Sequence, residues 1–168
     1  MSERHIVPRL LRRLVQGLPK RVIRNQGRLY MERWYVCGAM SPARAEKWNC
    51  GGRKPRPRLT FLPTVFIHCI RRADHDPDLH NHPWWARALI LSGGYFEQRD
   101  SHLYTRLVVP GMVVRLDPDT FHRIDALLGP ESWSLFIHGP KTQEWGFRSR
   151  IDGRFERAHD RYEDTNNG

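Results

Sequence analysis

Three histidines in two separated stretches of the chain have the residue type and spacing of a metal site. His80 and His82 flank a single asparagine, and because side chains alternate along an extended chain, their imidazoles point to the same side. His122 follows a glycine-bounded run much later in the sequence. Three imidazoles on one triangular face leave the opposite face of a divalent cation open, as in catalytic metal sites. The spacing therefore predicts one divalent metal ion held by His80, His82 and His122.

The elements that must position these histidines are short and β-rich. From residue 59 onward, β-type runs alternate with Gly, Pro or Asp, which is typical of a sandwich or barrel. Before them, Arg28–Val36 alternates like a strand, and the apolar spacing that starts at Pro8 predicts a short helix that ends near Gly17. The predicted strands of the β-rich part are Leu59–Ile70, Trp84–Leu91, Tyr95–Gln98, Leu103–Val109, Met112–Leu116, Thr120–Leu127 and Ser132–His138.

These elements predict an all-β chain with three segments. Residues 1–58 would supply a basic helix, strand and loop that pack on the barrel, residues 59–152 the barrel itself, and residues 153–168 a polar tail. The helix has a second interpretation as a membrane-surface helix, although two turns bury too little apolar area to hold a membrane alone. No run approaches the roughly 20 apolar residues that span a bilayer. We expect a cytoplasmic protein with no membrane partner.

The stretch around the first two histidines resembles the first motif of the cupin superfamily. That motif reads Gly, five residues, His-x-His, three or four residues, Glu, six residues, Gly. After residues 80–82, the final glycine is met by Gly93 or Gly94, but Ala86 or Arg87 stands where the glutamate belongs, and the leading glycine is absent. The His-x-His-Pro-Trp stretch and the Gly-Gly-Tyr turn are also similar to small cupins of bacteria and their phages.

The stretch before the third histidine resembles the second cupin motif, which reads Gly, five residues, Pro-x-Gly, two residues, His. Gly111 and His122 meet this spacing, with Asp117 in place of the proline and Asp119 in place of the second glycine. The resemblance covers roughly residues 59–140 and has both motifs in order. It implies a cupin-type double-stranded β-helix, which is a jelly-roll barrel, with a short helix before it.

The absence of the first motif's glutamate affects which function the resemblance implies. Thiol dioxygenases are similar to this chain in lacking that residue, and they bind Fe(II) with three histidines only. The resemblance therefore implies a mononuclear non-haem Fe(II) oxygenase acting on a small anionic substrate, although Zn, Mn or Ni would also suit three imidazoles. Two alternatives stay open. One is a non-redox metal cupin with isomerase or lyase chemistry, and the other is a non-catalytic ligand-binding cupin with a basic arm.

Four further residues are candidates for the site. With a four-residue gap after His82, Arg87 replaces the glutamate and faces the metal, where its fork would bind a carboxylate or phosphate; with a three-residue gap it faces solvent. Tyr95 is a candidate donor of a proton or hydrogen bond, or else a packed strand residue. His68 and Trp84 either line the substrate cavity or belong to the core. The predicted catalytic residues are thus Tyr95 and Arg87, and the predicted substrate-binding residues are Arg87, His68 and Trp84.

The positive charge is concentrated at the N-terminal end. Residues 1–58 hold 15 Lys and Arg against 3 Asp and Glu, a net charge of +12, within a chain whose net charge is +10. Such a segment could contact nucleic acid. However, its basic residues do not alternate with aromatic residues as in proteins that bind single-stranded nucleic acid, and its charge equally suits a solvated surface.

The three cysteines show no CxxC pair and are expected to be unpaired thiols. The resemblance to cupins also suggests a homodimer.

Overall fold

The computed structural model describes residues 6–38 and 62–164, apart from the side chains of residues 101–103 and 162–164. The basic loop predicted within residues 41–58 lies outside these ranges, as does Cys50. The described helices are α1 (Ile6–Leu14) and α2 (Ala158–Asp164). The described strands are β1 (Lys20–Asn25), β2 (Arg28–Cys37), β3 (Thr64–Ile70), β4 (Leu79–His80), β5 (Ala86–Ser92), β6 (Tyr95–Arg99), β7 (Ser101–Val108), β8 (Val113–Leu116), β9 (His122–Leu127), β10 (Ser132–His138), β11 (Gly146–Arg148) and β12 (Phe155–Arg157).

The strands form two six-stranded antiparallel sheets. The first sheet has the order β1-β2-β3-β10-β5-β8, and the second has the order β12-β11-β4-β9-β6-β7. From β3 to β6 and again from β8 to β11, each strand lies in the opposite sheet from the strand before it. This alternation between two facing antiparallel sheets is that of a jelly roll, so the all-β jelly-roll prediction is confirmed.

The sheets extend beyond residues 59–152 in both directions. Both β1 and β2 belong to the first sheet, and β12 pairs with β11 in the second. Strand β1 was not predicted, because its mostly polar residues lie at an edge of the sheet and bury no continuous face. Its turn into β2 is made by Gln26 and Gly27 at φ 48° and φ 72°, the left-handed conformation that two-residue hairpins require. The predicted polar tail contains α2 in addition to β12.

The barrel core lies between the two sheets and follows the alternation of the strands. On β5, Ala86, Ala88 and Ile90 are buried while the residues between them are half-exposed. The same alternation turns Phe66 and Phe136 inward from two neighbouring strands. This period of two is what one buried sheet face requires. The main core cluster comprises Met31, Tyr35, Phe66, Ile70, Ala86, Ala88, Ile90, Tyr95, Val108, Val114, Leu116, Ile124 and Phe136.

Helix α1 packs on the outer face of the first sheet. Its Leu11 is 8% exposed and belongs to a second buried cluster with Trp34 and Trp133, whose rings stack at 5.3 Å. On the other side of the helix, Leu10 and Leu14 are exposed. The amphipathic helix was therefore predicted in the right place, and its buried side covers the sheet. No helix in the described residues is long and apolar enough to cross a membrane.

The turn between β5 and β6 requires its two glycines. Gly93 and Gly94 have φ values of 76° and 143°. A Cβ atom on Gly93 would lie 2.2 Å from the carbonyl oxygen of Glu131, and one on Gly94 would lie 2.5 Å from that of Val108. Only glycine combines this conformation with this approach to neighbouring backbone. The turn carries the chain from the first sheet to the second and so places β6 beside β9.

Candidate metal centre

The pairing of two short strands brings the three histidines together, as predicted. β4 pairs with β9 so that His80 lies opposite His122, and His82 follows just after β4 ends. The Nε2 atoms of His82 and His122 lie 2.8 Å apart, and the ligand atoms of all three residues lie within 4.8 Å of one another. Nitrogen ligands about 2.1 Å from one metal ion are about 3 Å apart when they meet at right angles. The cluster is therefore compact enough for a single ion.

The surroundings keep two of these imidazoles neutral. Burial lowers the pKa of His80 to about 4, against the opposing charge of Asp74 and with the help of His122. Burial also holds the pKa of His82 well below its ordinary value, and His122 and His80 add to this effect. A neutral imidazole has a free lone pair, whereas an imidazolium cannot bind a cation. The donor set thus fits a divalent metal, and a metal bound there would replace the mutual repulsion of the rings with attraction.

Glu97 orients the third imidazole. This glutamate is fully buried, and His122 Nδ1 donates to its Oε1 over 2.8 Å. Because Nδ1 is hydrogen-bonded to this carboxylate, Nε2 is the ring nitrogen of His122 that faces His82. Arg106 donates to Oε2 over 2.6 Å, and Arg99 lies 3.6 Å from Oε1. Burial raises the pKa of Glu97, but the hydrogen bond from His122 and the neighbouring cations outweigh it and lower that pKa to about 2. The carboxylate is therefore ionised, as an orienting partner of a metal-binding histidine should be.

A second carboxylate lies beside the first histidine. Asp74 Oδ2 is 4.0 Å from Nδ1 of His80 and accepts the backbone N–H of Ile124 over 2.6 Å. The other oxygen of Asp74 accepts the hydroxyl of Tyr30 over 2.5 Å. Burial and this negative neighbour raise the pKa of Tyr30 well above its ordinary value, so the hydroxyl stays protonated and donates. These bonds fix the turn before β4 onto β9 and thereby hold His80 opposite His122.

Comparison with known proteins identifies the architecture. No protein-family model and no curated protein matches the sequence. Among solved structures, a cupin-2 domain from Rhodospirillum rubrum matches at 12% identity, over 81% of this chain and 78% of that chain, with a TM-score of 0.54. A cupin 2 conserved barrel domain protein from Rhodopseudomonas palustris matches at 13% identity, over 81% of each chain, also with a TM-score of 0.54. The chain has a cupin fold.

The histidine cluster of the barrel contains no carboxylate ligand among the described residues. In the part of the chain that the structure describes, no Asp, Glu or Cys joins the three histidines as a ligand candidate. Ala86, at one position where the first motif has glutamate, is fully buried in the core. Glu97 approaches the cluster, but its oxygen is occupied by the hydrogen bond to His122 Nδ1. The site therefore presents three imidazoles and an orienting carboxylate.

Arg87 takes the outward one of its two predicted placements. On β5 it alternates with the buried Ala86 and Ala88, so its side chain leaves the opposite face of the sheet. Its guanidinium pairs with Asp117 at 3.0 Å and lies 5.8 Å from the centre of the Trp85 ring. The alternative, in which Arg87 replaces the motif's glutamate beside the metal, is therefore wrong, because Arg87 lies on the face of the sheet away from the histidines.

The other three predicted site residues face the interior of the cupin barrel. The ring of Trp84 lies 6.0 Å from that of His82. His68 is 3% exposed and stacks on Phe136 at 4.5 Å, so it lies on the inner face of the first sheet. Tyr95 is buried in the main core cluster. These placements fit residues that pack in the core as well as residues that line a cavity, and their roles in binding or catalysis stay predictions.

Sequence reasoning missed three residues around the site. Glu97 and Asp74 act through contacts with residues that are distant in sequence, which no local pattern reveals, although Glu97 lies on the inward face of β6 with Tyr95. Arg33 is opposite His68 in the register of β2 and β3, and its guanidinium lies 5.1 Å from the centre of the Phe66 ring. An arginine alternating with inward apolar residues along a strand was the available signal. Arg33 is therefore a cation on the inner wall of the barrel.

Proposed function

We propose that this cupin is a mononuclear Fe(II) oxygenase that acts on a small anionic substrate. The observation that carries the proposal is the convergence of three imidazoles with no carboxylate among the described ligand candidates. Neutral ligands leave the full double charge of a divalent metal available at its open face, where it supplies Lewis-acid or oxygen-activating chemistry. The preference for oxygen chemistry rests on the resemblance to thiol dioxygenases, which share a three-histidine donor set.

Arg33 supports an anionic substrate. It projects from β2 onto the same inner face as Phe66 and His68. From there a series of ring contacts leads to the metal ligands: Phe66 lies 5.5 Å from His138, and His138 lies 4.5 Å from Trp84. Trp84 in turn adjoins His82. A small molecule along this wall would have its negative group at the guanidinium and its reacting end at the metal, because a guanidinium fork matches a carboxylate.

Two interior side chains suit roles beside such a substrate. Burial and the charge of Glu97 raise the pKa of Tyr95, so this hydroxyl is protonated at neutral pH and acts as a hydrogen-bond donor. Trp84 provides an apolar wall next to His82 that excludes water from the reacting end. His68 is kept neutral because burial holds its pKa well below the ordinary value. His68 therefore adds no charge to the barrel interior.

A second candidate function follows from the same donor set. Three imidazoles do not select a metal by themselves, so zinc, manganese or nickel would bind in the same geometry. With such a metal the barrel would catalyse a non-redox reaction, such as an isomerisation or elimination on the same anionic substrate. Turnover that persists without oxygen would distinguish this function from the first.

The decisive experiment combines metal identity with oxygen uptake. The protein is purified anaerobically, its metal content is measured, and oxygen consumption is screened with small thiols and carboxylates. We expect one iron per chain and oxygen uptake with at least one anionic compound. The His82→Ala variant should lose both. His159→Ala is the matched control, because this histidine is exposed and lies outside the cluster, and it should keep both.

Two results would contradict the proposal. Stoichiometric zinc with no oxygen uptake across the panel would favour the non-redox function instead. Equal metal content in wild type and His82→Ala would show that His82 does not bind the metal. It would then contradict both proposed functions.

A further inference from the structure

A basic cavity lies outside the barrel interior, at the end of the first sheet. Its volume is about 630 Å³, within the roughly 300–1,000 Å³ of pockets that bind small molecules. One wall is the β1–β2 hairpin turn with Asn25, Gln26 and Arg28. The segment 71–73 after β3 and the loop after β9 supply the others. We propose that this cavity binds a small organic phosphate, at a site separate from the three histidines.

The charge of the cavity carries the proposal. Three arginines line it together with His75, and none of the described lining residues is acidic. Two of these arginines, Arg28 and Arg72, have exposed side chains. Among the residues that the structure describes, no carboxylate lies within ion-pair distance of either guanidinium, since the ion pairs all involve other cations. An anion in this cavity therefore meets two guanidiniums that no described carboxylate neutralises.

The third arginine is held rigidly at the cavity wall. Arg71 donates to Glu32 from Nε over 3.2 Å and from Nη2 over 2.9 Å, and its Nη1 donates to Glu131 over 2.6 Å. The same two carboxylates also bind Lys20 and Arg12. Burial raises the pKa of Glu32, but the hydrogen bonds from Lys20 and Arg71 outweigh it and lower that pKa. Three cations thus face two carboxylates, so this network does not make the cavity negative.

The remaining lining favours an organic phosphate over a simple carboxylate. Guanidinium forks match the several oxygens of a phosphate group, and the two guanidiniums of Arg28 and Arg72 offer more donors than one carboxylate can accept. The side-chain amides of Asn25 and Gln26 can bind hydroxyl groups of the esterified part. The ring of Tyr30 and the side chain of Leu127 add apolar surface. The lining therefore provides for an anionic head and a less polar body.

Two residues, Tyr30 and Asp74, lie between the cavity and His80 of the metal centre. The Tyr30 hydroxyl donates to Asp74, whose other oxygen faces His80. Tyr30 therefore forms the floor of the cavity on one side and supports the metal centre on the other. A ligand in the cavity would contact neither the three clustered histidines nor Arg33, none of which lines it.

Calorimetric titration of the metal-loaded protein at low ionic strength tests the proposal, with inorganic phosphate, AMP and adenosine as probes. We expect AMP to bind at one site per chain and adenosine not to bind. Arg28→Gln and Arg72→Gln should each weaken AMP binding about tenfold, since each removes one charge-assisted contact. Both side chains are exposed, so unfolding temperatures should not change.

Two variants serve as matched controls. Arg115→Gln removes the same charge from an exposed position on β8, at the opposite edge of the first sheet from β1, and should leave AMP binding unchanged. His82→Ala should also leave it unchanged, because the cavity is not the metal centre. Phosphate binding as tightly as AMP would identify a free phosphate group as the recognised part, and tighter binding of AMP would identify an ester; both support an anion site.

Other outcomes would overturn it. If none of the probes binds, or if adenosine binds as tightly as AMP, the cavity is not a phosphate site. If Arg115→Gln weakens binding as much as Arg72→Gln, the attraction is only the diffuse charge of a basic protein. If His82→Ala abolishes AMP binding, the phosphate binds at the metal instead. Failure of the wild type to retain metal, by contrast, would count against the proposed function and would not contradict the phosphate site.

Discussion

Glu97 carries a buried negative charge one hydrogen bond away from His122. At the residue scale, this contact decides which nitrogen of the imidazole faces the other two histidines. The hydrogen bond from His122, together with Arg99 and Arg106, keeps the carboxylate ionised. The metal centre therefore depends on a residue that is not one of its ligands.

Replacing Glu97 by glutamine should weaken metal binding about 10–100-fold, the usual effect of losing the hydrogen-bond partner of a metal-binding histidine. The amide can still accept a hydrogen bond, but it no longer stabilises the charge on the imidazole and metal. Competition with a chromophoric chelator measures the affinity. Glu144→Gln, at an exposed glutamate paired with Lys141, should leave it unchanged.

A second variant separates orientation of His122 from simple destabilisation. Arg106→Met removes an ion-pair partner of Glu97 while leaving the bond between Glu97 and His122. It should lower the unfolding temperature but change metal affinity much less than Glu97→Gln. Equal losses of affinity in the two variants would show that Glu97 matters only for stability.

At the scale of elements, turns and cross-strand pairing position the site. The glycine turn between β5 and β6 lets the chain pass from one sheet to the other, and β6 then carries Glu97 to its place beside β9. The pairing of β4 with β9 is short, but the bonds of Asp74 to Ile124 and Tyr30 hold it. The histidines are thus placed by contacts between elements far apart in sequence.

Gly93→Ala should destabilise the fold more than Gly111→Ala, by about 1–3 kcal/mol of the free energy of unfolding. Both glycines have positive φ, 76° and 88°, so both variants incur backbone strain. Only the Cβ at Gly93 meets neighbouring backbone, whereas nothing lies within 4 Å of a Cβ at Gly111. Urea unfolding of the two variants measures the difference. Equal losses would mean that the close approach to Glu131 is not a constraint.

Leu11→Ala should cost about 2–3 kcal/mol of the free energy of unfolding, because Leu11 is buried against the sheet. Leu10→Ala, on the exposed side of the same helix, should change it by less than about 0.5 kcal/mol. Thermal or urea unfolding gives both values. If the two variants behave alike, α1 does not dock on the barrel in solution, and its apolar side would be available to another surface.

For the whole molecule, the patterns that repeat along the chain were predictable. The bounds of β10 match the sequence prediction, and most other strands of the barrel differ only at their ends. The short strands β4, β11 and β12 were missed because two or three residues contain no periodicity, and their pairing depends on distant partners. The grouping of the three histidines followed from motif spacing, whereas Arg33 and Asp74 reach the site only through the three-dimensional packing.

Some properties of the whole molecule stay predictions. A homodimer and contact with nucleic acid through residues 1–58 are two of them, and part of that segment lies outside the described residues. A cytoplasmic location is a third. The basic cavity offers a different use for part of the N-terminal charge, since Arg28 belongs both to that segment and to the cavity wall.

Anomalous diffraction from crystals of the Fe(II)- or Co(II)-loaded protein tests whether the three histidines bind one metal ion. We expect one strong peak per chain, about 2.1 Å from one ring nitrogen of each of His80, His82 and His122. We also expect Glu97 to contact His122 and not the metal. A peak bound to only two of these histidines, or a peak elsewhere in the molecule, would show that this metal centre is wrongly assigned.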